Sequence, residues 1–546
     1  MRALKISRPF LDQKPLQNHH RECETRRDDM AASGLSAVPP YERSRVLVGM
    51  RWSAWLSAIA LPCGAVITVL LGRVGAEAIG AYGLLSVYYG VISAFFYFGG
   101  DTVLIRFIPE CPMEDRVCFL TSYLLIVLTI FLPWLLLAYF WPAGIRLVLG
   151  HSIGDKGNFL LVCLGPVPIV FSIVAAALKG MLEIRVSQLL SKSLTIVSSL
   201  AYGVIFLTNR PLLTKHSFAM IWGTYFVATA LLALVGAVCV LRLCGWPRLR
   251  LYLPRGLARY ALDSQLATMV NFLSARIDYI LVLNFGGLAV LGQYVAIVAV
   301  AGTVPLVSAL FMDTLLPSLT SMIAARNDQA AVQMFVVHMR ILFLITISVS
   351  CAMMLAAAPI TLLMGTKYQS IRGPMILMTA LQGIATPGAF GGSWLVSIGG
   401  QRRVALNRVL YALLASGLFL ATWDRGNLYG ATVSFGLAAI IANSALMTMA
   451  TRTSSMFPSV ASLSIKSGLV QALLGSIAIY WLPLSFTISV LTWVAAVAVF
   501  VGFANYNLQE IRLLAGIFVP GSRFRRERSG ESTVQAEAAH QATANR

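Results

Sequence analysis

Residues 75–110 read GAEAIGAYGLLSVYYGVISAFFYFGGDTVLIRFIPE, and the reading of this stretch decides the fold. A short glycine-containing turn opens it, about 20 mostly apolar residues follow, and Asp101, Arg106 and Glu110 close it. That is the profile of a membrane-spanning helix with a polar mouth at one end. The stretch also recurs. A shift of 212 positions carries Gly75, Gly80, Tyr82, Gly90, Asp101, Thr102 and Leu104 onto Gly287, Gly292, Tyr294, Gly302, Asp313, Thr314 and Leu316, without a gap anywhere between. An acidic Asp-Thr pair inside an apolar helix does not return at matching positions by accident. The chain is a duplicated bundle.

Composition agrees. Of 546 residues, 58% are hydrophobic and 12% charged, with a mean hydropathy of +0.77. A soluble protein has no means of hiding that much apolar surface, whereas lipid accepts it. The expected class is an all-α polytopic membrane protein. Apolar runs near 20 residues long exclude a transmembrane β-barrel, whose strands alternate over about ten residues. The net charge of +20 does not signal nucleic acid, because the basic residues sit in loops and tails and form no stripe interleaved with aromatics. Eight cysteines without a Cys-x-x-Cys pair, and scattered histidines, indicate neither a disulfide framework nor a metal site. No cofactor motif is present.

The chain divides by hydropathy. Residues 1–46 are polar, carry Pro39-Pro40 and lack the apolar core of a signal peptide, so a disordered cytoplasmic tail is expected, with Met30 as an alternative start. Six apolar spans follow at 47–72, 81–105, 117–141, 157–181, 186–207 and 217–241, forming an N-lobe over 47–241. A basic connector, 242–259, leads to six more at 260–284, 289–316, 334–358, 373–397, 404–422 and 428–451, a C-lobe over 260–451. Two closing spans lie within 463–506. The tail 507–546 begins LQEIRLLAGIFV, suited to lie at the membrane surface, and runs on through RFRRER. The expectation is about fourteen helices, two six-helix lobes and two additional ones.

With the N-terminus inside, the inner loops and tails hold 31 Lys and Arg against 8 outside, leaving Arg51, Lys192 and Arg276 within spans. Both termini are therefore expected in the cytoplasm. The repeat shift covers six helices, an even number, so the two copies enter the membrane in the same sense. Such parallel repeats are related by an axis along the membrane normal. A second match, IRLVLG at 145–150 against ITLLMG at 360–365, has a shift of 215.

AEAIGAYGLL at 76–85 and GGDTVLIRFIPE at 99–110 resemble the first-lobe pattern of the polysaccharide transporters, the bacterial lipid-linked oligosaccharide (O-antigen) flippases of the MOP exporter superfamily. ARIDYILVLNFGGLAVLGQYVAIVAVAG at 275–302 is similar to that family's seventh and eighth helices, and APITLLMGTKY and LYGATVSFGLAAII resemble later ones. The resemblance covers roughly 45–506, spread over many positions. It implies fourteen helices in two lobes in the bacterial inner membrane, and export of a polyprenyl-diphosphate-linked glycan for surface polysaccharide synthesis. The polysaccharide polymerase and export machinery are the implied partners. The long N-terminal tail departs from the family's usual short one.

A charge deep in the bilayer costs about 2.5–3.5 kcal/mol on insertion scales, so each one needs a reason. Arg51 in the first span and Asp101 near the end of the second would lie at similar depth, as an ion pair within the lobe or with Arg51 turned to the substrate diphosphate. Arg106 stands four residues before Glu110, the spacing of a helical ion pair. Lys179 similarly precedes Glu183. Lys192 has no acidic residue three or four positions away and is the stronger candidate for an anionic substrate. In the second lobe Asp263 replaces Arg51 and Asp313 repeats Asp101. Two neighbouring carboxylates could share H+ or hold Na+, though separate solvation or pairing with Arg259 is the simpler reading. Arg276 and Asp278, two residues apart in the seventh span, fall on different helix faces. Arg276 is a candidate second stop for the diphosphate; Arg106 joins Arg51 and Lys192 as a candidate substrate cation in the cytoplasmic half, and Asp101 and Asp278 join Asp263 and Asp313 in the candidate ion-coupling set.

Tyr82, Tyr88, Tyr89, Phe95, Phe96, Tyr97 and Phe98 crowd the second span, where packing is the ordinary role and sugar stacking the special one. Glycines at 99–100, 387–392 and 399–400 are candidate bends. The leading function is a flippase working by alternating access, with no covalent chemistry. A multidrug or cation antiporter and a peptidoglycan-precursor flippase share the architecture. A membrane glycan polymerase or ligase needs a sizeable external catalytic loop, and the longest external loop is the short stretch 142–156.

Overall fold

The structure is a computed structural model. It describes residues 55–506 except 57–58, 61, 113, 142–162, 182, 247–249, 307–318, 320–322, 324–327, 425–426, 453–456, 481–485 and 505. Among the described residues all regular structure is helical. The N-lobe holds α1 (Pro62–Val74), α2 (Ala76–Phe96), α3 (Gly100–Glu110), α4 (Arg116–Phe140), α5 (Pro166–Gly180), α6 (Ile184–Thr208), the short α7 (Arg210–Lys215) and α8 (Ser217–Cys244). The C-lobe holds α9 (Leu257–Ala301), α10 (Asp328–Met364), α11 (Arg372–Ser397), α12 (Gln401–Thr422) and α13 (Leu428–Arg452), followed by α14 (Phe457–Tyr480) and α15 (Phe486–Phe503). Nine stretches among the described residues are long and apolar enough to cross a membrane, and three shorter apolar helices accompany them.

The duplication appears as geometry. Gly287, with φ 78° and ψ −179°, breaks α9 into two arms, 257–286 and 288–301, which correspond to the seventh and eighth spans. Gly287 is the repeat mate of Gly75, the residue that precedes α2. Helix α2 and the second arm of α9 are thus equivalent elements, and they pack on each other through equivalent residues. A Cβ on Gly80 would overlap the carbonyl oxygen of Leu288 and stand 3.2 Å from Gly292 N. A Cβ on Gly292 would overlap the carbonyl oxygen of Ala76 and stand 2.8 Å from Gly80 N. Ala76 and Leu288, like Gly80 and Gly292, are related by the same repeat shift. One turn on, Gly83 faces Val295, its own repeat mate. The local two-fold axis relating the lobes passes through this crossing, where small residues let two backbones approach.

Further along α2 the partner changes. Gly90 meets Phe272 and Gly99 meets Ala261, both on the first arm of α9, which runs antiparallel to α2. The seam between the lobes therefore follows α2 over its whole length. At the Gly80 end it continues onto α1 and α10: Arg73 Nε donates to the Leu363 carbonyl at 2.8 Å, and Gly72 packs on Met364. The charge count leads to the expectation that this end faces outside and the Gly99 end the cytoplasm.

The last two helices are tied to the C-lobe by polar contacts inside the bundle. Gln471 of α14 is fully buried; its amide accepts from Ser350 Oγ and donates to Ser467 Oγ, each at 3.1 Å. Gly383 of α11 leaves the room this amide occupies. In α15, Trp493 Nε1 donates to the Ser348 carbonyl at 2.9 Å. In hydrocarbon, water does not compete for these groups, so such bonds fix the docking register.

Candidate functional site

Helix α2 ends where three consecutive residues take positive φ: Phe98 at 44°, Gly99 at 83° and Gly100 at 54°. The glycines adopt this freely, whereas Phe98 costs about 1–2 kcal/mol. The second span is therefore two helices, α2 and α3, rather than one. The break frees backbone groups at the Gly99 end of the seam, and each that follows has a partner. Tyr123 OH donates to the Tyr97 carbonyl at 2.6 Å and the Phe98 carbonyl at 3.1 Å. Gly99 N donates to Gln265 Oε1 at 2.7 Å, and Gln265 Nε2 donates to the Ala94 carbonyl. Ser264 Oγ donates to the Gly99 carbonyl at 3.0 Å and also touches Thr102 Oγ1. Ser264 and Gln265 belong to the opposite lobe. This end of the seam is a polar latch, and the C-lobe completes the N-lobe's broken helix.

Around the latch lie several of the expected residues. Asp101 accepts from Tyr97 OH at 3.0 Å and sits 3.7 Å from Lys179 Nζ. The expected partner, Arg51, lies outside the described residues, as does Asp313; Lys179 of α5 supplies a counter-charge for Asp101. Arg106 stands 3.8 Å from Glu110, as the spacing requires, and places its guanidinium 4.4 Å over the ring of Tyr260 across the seam. Both partners of the Arg106–Glu110 pair are more than half exposed, so the pair adds little. Asp263 is exposed on the first arm of α9.

Deeper in the C-lobe, Asp278 accepts from Tyr294 OH at 3.0 Å and from its neighbour's backbone, Tyr279 N, at 2.9 Å. Arg276 makes no direct salt bridge with Asp278 among the described residues; its guanidinium lies 5.2 Å over the ring of Tyr279. The N-lobe equivalents of Arg276 and Asp278 are Gly64 and Val66, so the repeat keeps the tyrosine (Tyr82 for Tyr294) and not the charges. Two buried oxygens of the same lobe, Asn407 Oδ1 on α12 and Thr432 Oγ1 on α13, have no hydrogen-bond partner among the described residues. No group of three His, Cys, Asp or Glu capable of holding a metal occurs among them.

Lys192 is half-buried on α6 and has no ion-pair or hydrogen-bond partner among the described residues. It shares a helix stripe with Ser199, seven residues on, whose hydroxyl bonds the Cys63 carbonyl of α1 at 3.0 Å. Lys192 thus stands on the side of α6 that meets α1. Many aromatics of the second span turn to packing: Tyr82 against Tyr202, Tyr88 against Trp222 and Phe226, Tyr89 against Tyr225, and Phe96 against Phe131. One cation escapes the sequence reading. The charge count puts Arg408 with the inner loops, but α12 begins at Gln401 and encloses it by two turns.

No protein-family model and no curated protein matches the chain. Solved structures do. The lipid II flippase MurJ in an inward closed conformation superposes with a TM-score of 0.64 at 14% identity, covering 82% of this chain and 97% of that one. An inward-facing multidrug resistance MATE family transporter of the MOP superfamily gives 0.59 at 12% identity, covering 74% and 95%. A MOP superfamily transporter from Pyrococcus furiosus gives 0.51 at 14% identity, covering 77% and 96%. The chain has the fold of the MOP-superfamily transporters.

Proposed function

We propose that this protein flips a polyprenyl-diphosphate-linked oligosaccharide across the bacterial inner membrane by alternating access, supplying surface polysaccharide synthesis. Both termini are cytoplasmic, and the lobes 47–241 and 260–451 rock about their shared seam. The observation that carries the reading is Lys192, a cation inside a membrane helix with no protein counter-charge among the described residues. An ammonium in a low-dielectric cleft is stabilised by an anionic guest, and a lipid diphosphate is strongly anionic. A cationic drug would instead favour an acidic cleft, which disfavours the antiporter reading. Arg51 and Arg106 serve loading at the inner mouth, and Arg276 serves as a stop on the way out. The fold shared with the lipid II flippase supports a lipid-linked cargo of the peptidoglycan type as the second reading.

The test is genetic and chemical. Deletion is expected to abolish surface polysaccharide and to accumulate its lipid-linked unit inside the cell. Lys192→Glu is expected to lower export by about tenfold or more, the loss of one strong charge-assisted contact, while the protein stays in the membrane. Wild-type export by Lys192→Glu refutes the assignment, and lysis without polysaccharide loss selects the peptidoglycan-type cargo.

Resetting of the cycle is assigned to the Asp278–Tyr294 site. A carboxylate inside the bundle is poised to exchange H+ or Na+, and the unpartnered Asn407 and Thr432 oxygens in the same lobe are suitable ligands for a hard cation. Export by Asp278→Asn is expected to lose its dependence on external Na+ or pH along with most of its rate. An unchanged ion dependence in that variant removes Asp278 from the coupling role.

A further inference from the structure

Arg408 presents an unexplained combination. Helix α12 shows lipid a stripe of leucines, with Leu406, Leu410, Leu413 and Leu420 between 39% and 68% exposed. Its opposite stripe is buried, with Ala415 and Phe419 at 0%. At about 100° per residue, Arg408 is two turns before Ala415 and three before Phe419, hence on the buried stripe. It points away from the leucines, yet it is exposed. Arg408 is thus an accessible cation on the protein-facing stripe of a membrane helix, two turns in from its start. Among the described residues it has neither an ion-pair nor a hydrogen-bond partner.

Its depth along the helix is close to that of Lys192, although the repeat shifts of 212 and 215 carry Lys192 onto Val404 and Asn407. Helices α6 and α12 are the fifth spans of their lobes. Lys192 is about 12 Å along α6 from Ile184, and Arg408 about 10 Å along α12 from Gln401, at about 1.5 Å per residue. Both helices begin on the same side of the bundle. Two unneutralised cations, one from each lobe, therefore stand at matching depth. Phe419, three turns beyond Arg408 on the same stripe, meets the ring of Phe285 on α9 edge-on with centroids 5.7 Å apart, so α12 shows this stripe to α9 as α6 shows the Lys192 stripe to α1.

We propose that Arg408 is the second anion-binding residue of the transport cleft, the C-lobe counterpart of Lys192, and that each binds one phosphate of a diphosphate head. The inference rests on the anionic cargo argued above and adds its second contact. Arginine is well matched to this role, because its guanidinium stays charged at any physiological pH and offers a planar fork that fits phosphate oxygens. Contacts from both lobes also make binding sensitive to how far apart the lobes stand, so the same head that loads the cleft draws it shut.

The full-length protein in lipid nanodiscs is titrated with farnesyl diphosphate, farnesyl monophosphate and inorganic pyrophosphate. Wild type is expected to bind the diphosphate lipid at least tenfold more tightly than the monophosphate, and to bind pyrophosphate more weakly than the lipid. Arg408→Gln is expected to lose about tenfold or more for farnesyl diphosphate and to erase the preference over the monophosphate, whereas Arg408→Lys stays within about threefold. Lys192→Gln should do the same as Arg408→Gln. If wild type binds farnesyl diphosphate and a monodisperse Arg408→Gln binds it equally well, Arg408 is not a substrate contact and the cargo assignment survives. If wild type binds none of the three probes, the anionic cargo itself falls. Equal affinity for pyrophosphate and farnesyl diphosphate assigns the site to a free diphosphate.

Discussion

Gly292→Leu is expected to yield little folded protein. The new side chain would begin where the Ala76 carbonyl oxygen already sits, and 2.8 Å from Gly80 N. Neither neighbour is a flexible side chain that rotates away, so relief requires α2 and the second arm of α9 to separate at the lobe axis. Overpacked cores ordinarily lose about 1–3 kcal/mol, and a clash against backbone on both sides belongs at about 3 kcal/mol or more. Gly80→Leu, its repeat mate, should fail in the same way. Gly417→Ala is the control, because a Cβ there meets nothing within 4 Å. Thermal unfolding of detergent-solubilised protein reads the difference: the control should stay within about 0.5 kcal/mol of wild type. A Gly292→Leu protein that melts like wild type would remove the close crossing from the fold.

The second large effect concerns the polar latch. Thr102 and Ser264 touch through their hydroxyls across the lobes, so cysteines at both positions are close enough to join. In a background with the eight native cysteines replaced, oxidation of Thr102→Cys/Ser264→Cys should form the cross-link and reduce export to background; a reductant should restore it. Either single cysteine should export normally under oxidant. A fully cross-linked protein that still exports would show that this seam never opens, and the polar latch would then be a permanent joint.

What can be read from the chain, and what cannot, divides by distance along it. The repeat shift locates the crossing of α2 with α9 because glycines leave a mark wherever backbones approach, and Gly80 and Gly292 carry it in both copies. The Arg106–Glu110 pair follows from spacing on one helix. The sequence marks the break at 98–100 only as a bend, since two glycines announce freedom without saying what holds it. Its partner, Gln265, lies far along the chain in the other lobe and carries no local signature. Asp101 and Lys179 meet for the same reason, through the packing of α3 on α5. Arg408 is hidden near a boundary. Hydropathy starts the eleventh span at 404 and so already encloses Arg408 by about one turn, yet the charge count leaves it with the loop; α12 starts at Gln401 and encloses it by two turns.

The buried amide of Gln471 and the indole of Trp493 bind α14 and α15 to α10, on the C-lobe side of the molecule. If the lobes rock as proposed, those two helices travel as passengers of the C-lobe, and each swing sweeps their exposed leucines and valines through the surrounding acyl chains. On that proposal the bilayer's resistance to being stirred is a load on the cycle, felt by one half of the protein only, and turnover should slow in thicker or more viscous membranes.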